Sequence, residues 1–164
     1  MKVSAQEEFG LRCILQIAAQ PPSEPLTLTE IARREGMSVP HVAKLMGRLR
    51  HGGLVESVRG RSGGYVLTRP AETISVLDVL SALGERLFDG EYCGRYHGVD
   101  DQPCVHSTGC SIRSVWSRVE GIVSDVLSRT PITELVGSDE MALLRSLNER
   151  SGSSGLLQLE PRTR

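Results

Sequence analysis

Cys93, Cys104 and Cys110, three of the four cysteines in this chain, lie between positions 93 and 110, and converging thiolates are soft ligands suited to a transition metal or a cluster. Ten residues separate the first pair and five the second, and among them Gly94, Gly98, Pro103 and Gly109 let the backbone bend enough for separate sulfurs to meet. The stretch from Glu91 to Cys110 holds too few apolar side chains to offset the entropy of ordering it, and a thiolate-held metal centre would supply the missing stabilisation. Structural zinc sites use paired ligands about two to four residues apart, a spacing this stretch lacks. His97 and His106 fall in the same stretch and are competing ligands. Two other readings stay open: three free thiols in a polar loop, and a metal-free thiol switch. Cys13 sits in an apolar run and is expected in the core, where a free cysteine behaves as a small hydrophobe.

A second chemistry is carried by cations. Residues 1–70 hold ten Lys/Arg against six Asp/Glu, while residues 71–164 hold nine against fourteen. The window 33–69 holds eight basic and two acidic residues, the pattern of a surface that meets phosphate and also of an ordinary solvated face. Within it Met37 is followed by Ser38, a natural N-cap, and by Pro40, tolerated in a first helical turn. Val42, Leu45, Met46 and Leu49 then recur at the spacing of a core-facing stripe. Opposite that stripe lie His41, Lys44 and Arg48. A preceding helix opens at Thr27-Leu-Thr-Glu30, read as a capping box, and stops at Gly36. Two short helices joined at Gly36-Met37, the second with a basic outer face, form a helix-turn-helix pattern whose second helix would enter a major groove, the alternative being a generic helical hairpin.

Leu54 to Arg59 and Tyr65 to Thr68 read as strands around the glycine-rich turn Gly60-Arg-Ser-Gly-Gly64, so a basic hairpin follows the recognition helix. That is a winged helix, with Arg59 and Arg61 placed to reach DNA backbone or minor groove. A nucleotide-phosphate loop would need a following Lys-Ser/Thr and a helix, which this turn lacks. The expected DNA-contacting set is Thr27, Ser38, Pro40, His41, Lys44, Arg48, Arg59, Arg61, Gly63 and Gly64.

These groups are positioned by helices whose limits are legible locally. Ser4 and Glu7 form a capping box for a largely buried first helix, and Pro21, Pro22 and Pro25 mark the loop after it. Ser75 to Leu83 is a short amphipathic helix closed by Gly84 that delivers the chain to the cysteines. After Cys110, the residues Ile112, Val115, Trp116, Val119, Ile122, Val123, Val126 and Leu127 line one face of a helix ending before Pro131. Such a helix, of about eighteen residues and about 27 Å long, would protrude unless its stripe were covered, and a twin from a second subunit would cover it, the alternative being packing wholly within its own chain. Positions 132–136 and 138–147 read as two short helical pieces, and the Gly/Ser-rich run from Ser151 as a disordered tail.

The expected fold is therefore mainly α: a winged helix-turn-helix domain over 1–70, a sensor loop and dimerisation helix over 71–136, a helical piece over 137–150 and a tail over 151–164. No apolar run reaches the length of a membrane span and no secretory leader is evident, so the expected place is the cytoplasm, where thiols stay reduced. No constellation of general acid, base and nucleophile stands out, which argues against an enzyme. A small electron-transfer protein would use the same cysteines but would have no need of the basic helix and hairpin.

Lys2-Val-Ser, the Arg12–Ala18 helix, the run from Gly52 to Tyr65, Ile74-Ser-Val-Leu-Asp-Val and the cysteine loop before Trp116 together resemble the Rrf2 family of bacterial transcription regulators over about residues 1–136. The resemblance implies a homodimer that binds a double-stranded DNA operator on the bacterial nucleoid. It also implies three cysteines ligating an iron-sulfur cluster, 4Fe-4S or 2Fe-2S, that reports redox state, nitric oxide, iron or iron-sulfur status. The gap between Cys104 and Cys110 fits the family, and the gap before Cys104 is longer than in many members. One branch of the family places a histidine three residues after the last cysteine, where this chain has Arg113; another places one on the first helix, where this chain has Arg12. In other branches an acidic residue near the N-terminus of the opposite subunit completes the site, and Glu8 occupies that place.

Overall fold

A computed structural model describes residues 3–22, 24–60, 63–84, 106, 109–137 and 140–151; Arg61, Cys93, His97 and Cys104 lie outside the described residues. The first helix, α1 (Ala5–Ala18), starts where local chemistry predicts: Ser4 Oγ accepts the Glu7 N–H at 3.2 Å and the Glu7 carboxylate accepts the Ser4 N–H at 2.7 Å. It buries Gly10, Cys13, Ile14 and Ile17, with Phe9, Leu11, Leu15 and Ala18 at the margin of the core.

Helix α2 (Leu28–Glu35) has half of its expected capping box. Thr27 Oγ1 accepts the Glu30 N–H at 3.1 Å, but the Glu30 carboxylate is held by Arg33 at 2.7 Å and by Arg34 at 2.9 Å instead of returning to the cap. Charge-assisted bonds to two guanidinium groups outcompete a neutral backbone N–H. The helix ends at Gly36, whose φ of 65° is left-handed, and α3 (Val39–His51) follows at once. The apolar stripe of α3 is buried as expected, with Val42, Leu45, Met46 and Leu49 each at most 1% exposed.

Strands β1 (Val55–Val58) and β2 (Gly64–Leu67) pair antiparallel, Val55 opposite Leu67 and Val58 opposite Gly64. Leu26, ahead of α2, adds a one-residue third rung through reciprocal backbone bonds with Tyr65 of 3.0 and 2.9 Å. The hairpin is thereby tied to the entrance of the helix-turn-helix.

Beyond Pro70 comes a 3-10 turn (Ala71–Thr73) and α4 (Val76–Leu83), capped reciprocally by Ser75 and Asp78. Helix α5 (Ser111–Ser128) has the expected eighteen residues, a 3-10 turn (Ile132–Glu134) stands where one helical piece was expected, and α6 (Glu140–Ser151) supplies the other. Of the tail expected from Ser151, only Ser151 lies among the described residues, at the end of α6. One apolar core joins these parts: Ile74, Val79 and Leu83 pack with Cys13, Ile14, Leu45 and Leu49, and Ile132 enters the same cluster. The Ile132 N–H bonds to Ile74 O and the Val76 N–H to Thr130 O, both at 2.9 Å, so the chain leaving α5 is stitched to the start of α4. The architecture is mainly helical, with a two-stranded antiparallel wing. Among the described residues no helix is long and apolar enough to cross a membrane.

Candidate nucleic-acid interface and cysteine-bearing helix

Burying four residues on one side of α3 forces the remainder outward. Ser38, Pro40, His41, Lys44 and Arg48 are all exposed, as are Arg50 and His51 in the last turn, which the sequence reading did not single out. Ser38 caps α3 by backbone conformation alone, its side chain making no cap hydrogen bond. That leaves a hydroxyl at the positive end of a helix dipole, a place that suits a phosphate oxygen. His41 meets the edge of Phe9 of α1, ring centroids 5.7 Å apart at 87°, a T-shaped contact that restricts the imidazole. No sequence signal links positions so far apart.

The basic excess of this region is smaller than the residue count. Arg33 and Arg34 both engage Glu30, and their hydrogen bonds hold its carboxyl down to about 2, so it is ionised at any physiological pH. Among the described residues, the cations facing outward on α3 and the wing are Lys44, Arg48, Arg50 and Arg59. Arg48 differs from the others, since its Nη1 turns back to donate to Leu83 O at 2.8 Å.

In the wing, exposed Arg59 directly follows β1. Gly63 and Gly64 are half-buried and have a packing reason to be glycine: a Cβ on Gly64 would lie 2.7 Å from the Leu26 carbonyl, and one on Gly63 2.6 Å from Val58 O. Thr27, also expected at DNA, is exposed at the N-cap of α2 beside this hairpin's extra rung.

Of the three clustered cysteines, Cys110 is the one among the described residues. It is the N-cap of α5, half-buried, with Sγ accepting the Arg113 N–H at 3.4 Å. The positive end of a helix favours the negative charge of a thiolate-ligated cluster, so this donor suits such a group. Glu8 and Arg12, the two positions on the first helix where family branches differ, are ion-paired to each other at 2.9 Å with both side chains half exposed. His106 is exposed. Among the described residues no three His, Cys, Asp or Glu side chains converge as a metal site. Cys13 is fully buried, and desolvation, with the nearby Glu35 charge, pushes its thiol up to about 12. That confirms a core role.

Helix α5 carries the thiol at one end and an uncovered apolar face along its length. Ile112, Val115 and Trp116 are 66%, 59% and 51% exposed, with Ile122 and Val126 exposed farther along.

The same layout recurs in known proteins. The regulator IscR of Vibrio vulnificus, an HTH-type transcriptional regulator, is 31% identical over 141 residues, covering 86% of this chain and 80% of that one. The solved structure of T. potens IscR superposes with a TM-score of 0.66 at 30% identity, covering 87% of this chain and 90% of the other. The oxidised form of Staphylococcus aureus CymR does so with a TM-score of 0.63 at 29% identity, covering 85% and 99%. The family described as Rrf2, iron-dependent transcriptional regulator, matches residues 3–138. With the recognition helix, wing and long helix all inside that span, this chain belongs to the Rrf2 family and is a transcription regulator, not an enzyme.

Proposed function

We propose that two copies of the chain pair along α5, present α3 and the wing to a palindromic DNA operator, and hold an iron-sulfur cluster, 4Fe-4S or 2Fe-2S, whose presence changes operator affinity. The observation that carries this reading is the double use of α5: its N-cap is a cysteine and its side is a bare apolar stripe. A sulfur ligand and a dimer seam on one rigid rod would couple ligand chemistry to subunit geometry. Ser38, Pro40, His41 and Lys44 would meet bases and phosphates from the leading half of α3. Thr27 would add a contact from α2, and Arg59, Arg61, Gly63 and Gly64 would act from the wing. Such a protein works on the nucleoid, in the bacterial cytoplasm.

Cys93, Cys104 and Cys110 would hold the cluster, with the partner subunit's Glu8 as fourth ligand after release of its ion pair with Arg12. His97 and His106 are the competing fourth ligands. A bound cluster supplies a centre that reacts with oxidants and nitric oxide, and a carboxylate ligand, harder than thiolate, makes it more labile. The family's description as iron-dependent supports a metal.

Protein purified without oxygen, assayed for iron and sulfide and by absorption spectroscopy, tests this directly. Cluster absorbance that is lost in Cys110→Ala and shifted in Glu8→Ala is the expected result, with different operator affinities for loaded and iron-free dimers. Equal affinities would remove the switch. A second reading, a metal-free thiol switch, is supported by the similarity to a regulator solved in an oxidised form. It requires iron-free protein whose DNA affinity changes on thiol oxidation and returns on reduction.

A further inference from the structure

An α-helix leaves its last four carbonyls without intrahelical partners, and in α4 one of these is the meeting point of two other helices. The Leu83 carbonyl accepts Gln6 Nε2 from α1 and, at 2.8 Å, Arg48 Nη1 from α3. The surrounding packing is close. The Leu83 side chain lies over Gly10 so tightly that a Cβ there would overlap it, and a Cβ on Gly52, just past α3, would lie 2.5 Å from Ala82 Cβ. The last turn of α4 is thus wedged between the start of α1 and the end of α3, and Cys93 follows Leu83 by ten positions in the sequence.

We infer that Arg48 is a positioning residue that transmits displacement of the last turn of α4 to the recognition helix. The inference rests on the cysteine-based sensing proposed above. Helix α3 is also held by apolar packing through Val42, Leu45, Met46 and Leu49 and by the edge contact of His41 with Phe9, and among the described residues the Arg48 bond is its one side-chain hydrogen bond to another helix. A charge-assisted bond to a carbonyl is directional, so it fixes the end of α3 relative to α4. Because a helix moves as a rod, a shift at Arg48 is carried about 15 Å along α3 to Ser38, the end that faces DNA. In a dimer whose two recognition helices must sit about one DNA turn apart, a small tilt of each changes whether both fit. A change of state at the cysteines that displaces the last turn of α4 would reach α3 through Arg48.

The competing role for Arg48 is a phosphate contact, and the two differ in what they change. The test uses full-length wild type, Arg48→Gln, Arg48→Lys and Gln6→Ala, each as loaded and iron-free dimers. Operator titrations are run over a salt series, with amide hydrogen exchange followed in α3 and α4. Arg48→Gln is expected to keep the cluster spectrum and shrink the ratio of loaded to iron-free affinity at least about fivefold, the low end of ordinary coupling. Exchange in α4 should still respond to cluster loss, while exchange in α3 should not. Arg48→Lys should restore part of the ratio, and Gln6→Ala, which removes the other donor to the same carbonyl, should shrink it less. The inference is overturned if Arg48→Gln leaves the ratio at its wild-type value. It is equally overturned if both affinities fall by one factor with the salt slope reduced by about one phosphate contact. If wild type itself shows a ratio of one, the sensing reading fails and this inference with it, and that outcome is visible before any variant is made.

Discussion

Truncation of Trp116 to alanine tests the proposed dimer seam at its largest side chain. In the single chain Trp116 is 51% exposed, beside Ile112 and Val115 at 66% and 59%. A tryptophan side chain offers up to about 250 Å² for burial, so about 125 Å² here awaits a cover. At about 25 cal/mol per Å² that is roughly 3 kcal/mol per subunit, and a two-fold interface counts it twice, giving roughly 6 kcal/mol. A real seam covers part of this area, and alanine keeps a little of it; half the total, roughly 3 kcal/mol, corresponds to about a hundredfold weaker dimer. Sedimentation equilibrium over a concentration series reads that shift, with circular dichroism confirming that α5 remains helical. Ser117→Ala, on an exposed neighbouring position, is the matched control and should leave the dimer intact. A wild-type dimer constant for Trp116→Ala, or a monomeric wild type at operator-binding concentrations, would refute the assignment of this face to a second copy.

Three further outcomes are expected. Arg59→Ala should weaken binding to every DNA sequence alike and lower the slope of log affinity against log salt by about 0.9, measured by titration at several salt concentrations. Glu7→Ala should cost about 1 kcal/mol in a denaturant melt by removing one arm of the α1 capping box, while leaving any cluster spectrum as in wild type. Cys13, with its thiol raised from 9.0 to about 12, should alkylate roughly a thousandfold more slowly at pH 8 than an unperturbed thiol, judged by mass spectrometry of the native protein. The sign for stability follows from the same shift. The folded state holds this proton more tightly than the unfolded state, so the contribution is fully present below pH 9 and is lost progressively as pH rises towards 12.

Much of the fold was legible because helix starts are local events. Ser4 with Glu7 reaches across one turn, so residue types three positions apart were enough to place the start of α1, whereas α4 was placed by its amphipathic pattern and Gly84, and the Ser75–Asp78 box came only with the structure. The stripe of α3 and the eighteen-residue length of α5 followed from helical periodicity and from Pro131. The glycine-rich turn between alternating strands marked the wing. Where the same logic fell short, a rival partner lay nearby: Glu30 had the right spacing for a capping box, but Arg33 and Arg34 took its carboxylate.

For the candidate sites, the sequence determined which residue types were on offer: clustered thiols ahead of a long amphipathic helix, and cations opposite an apolar stripe. Tertiary structure decided which of them meet. Only the folded chain sets Phe9 against His41, ties Leu26 to Tyr65 across the wing, and brings Gln6 and Arg48 to the one carbonyl at Leu83. Only it shows that Ile74, Val79, Leu83 and Ile132 share the core of the helix-turn-helix, joining the cysteine-bearing half of the chain to the DNA-binding half. The physical reason is range. Capping and periodicity act within about four residues and are written in adjacent letters, whereas packing joins residues dozens of positions apart through shape and direction that no local pattern encodes.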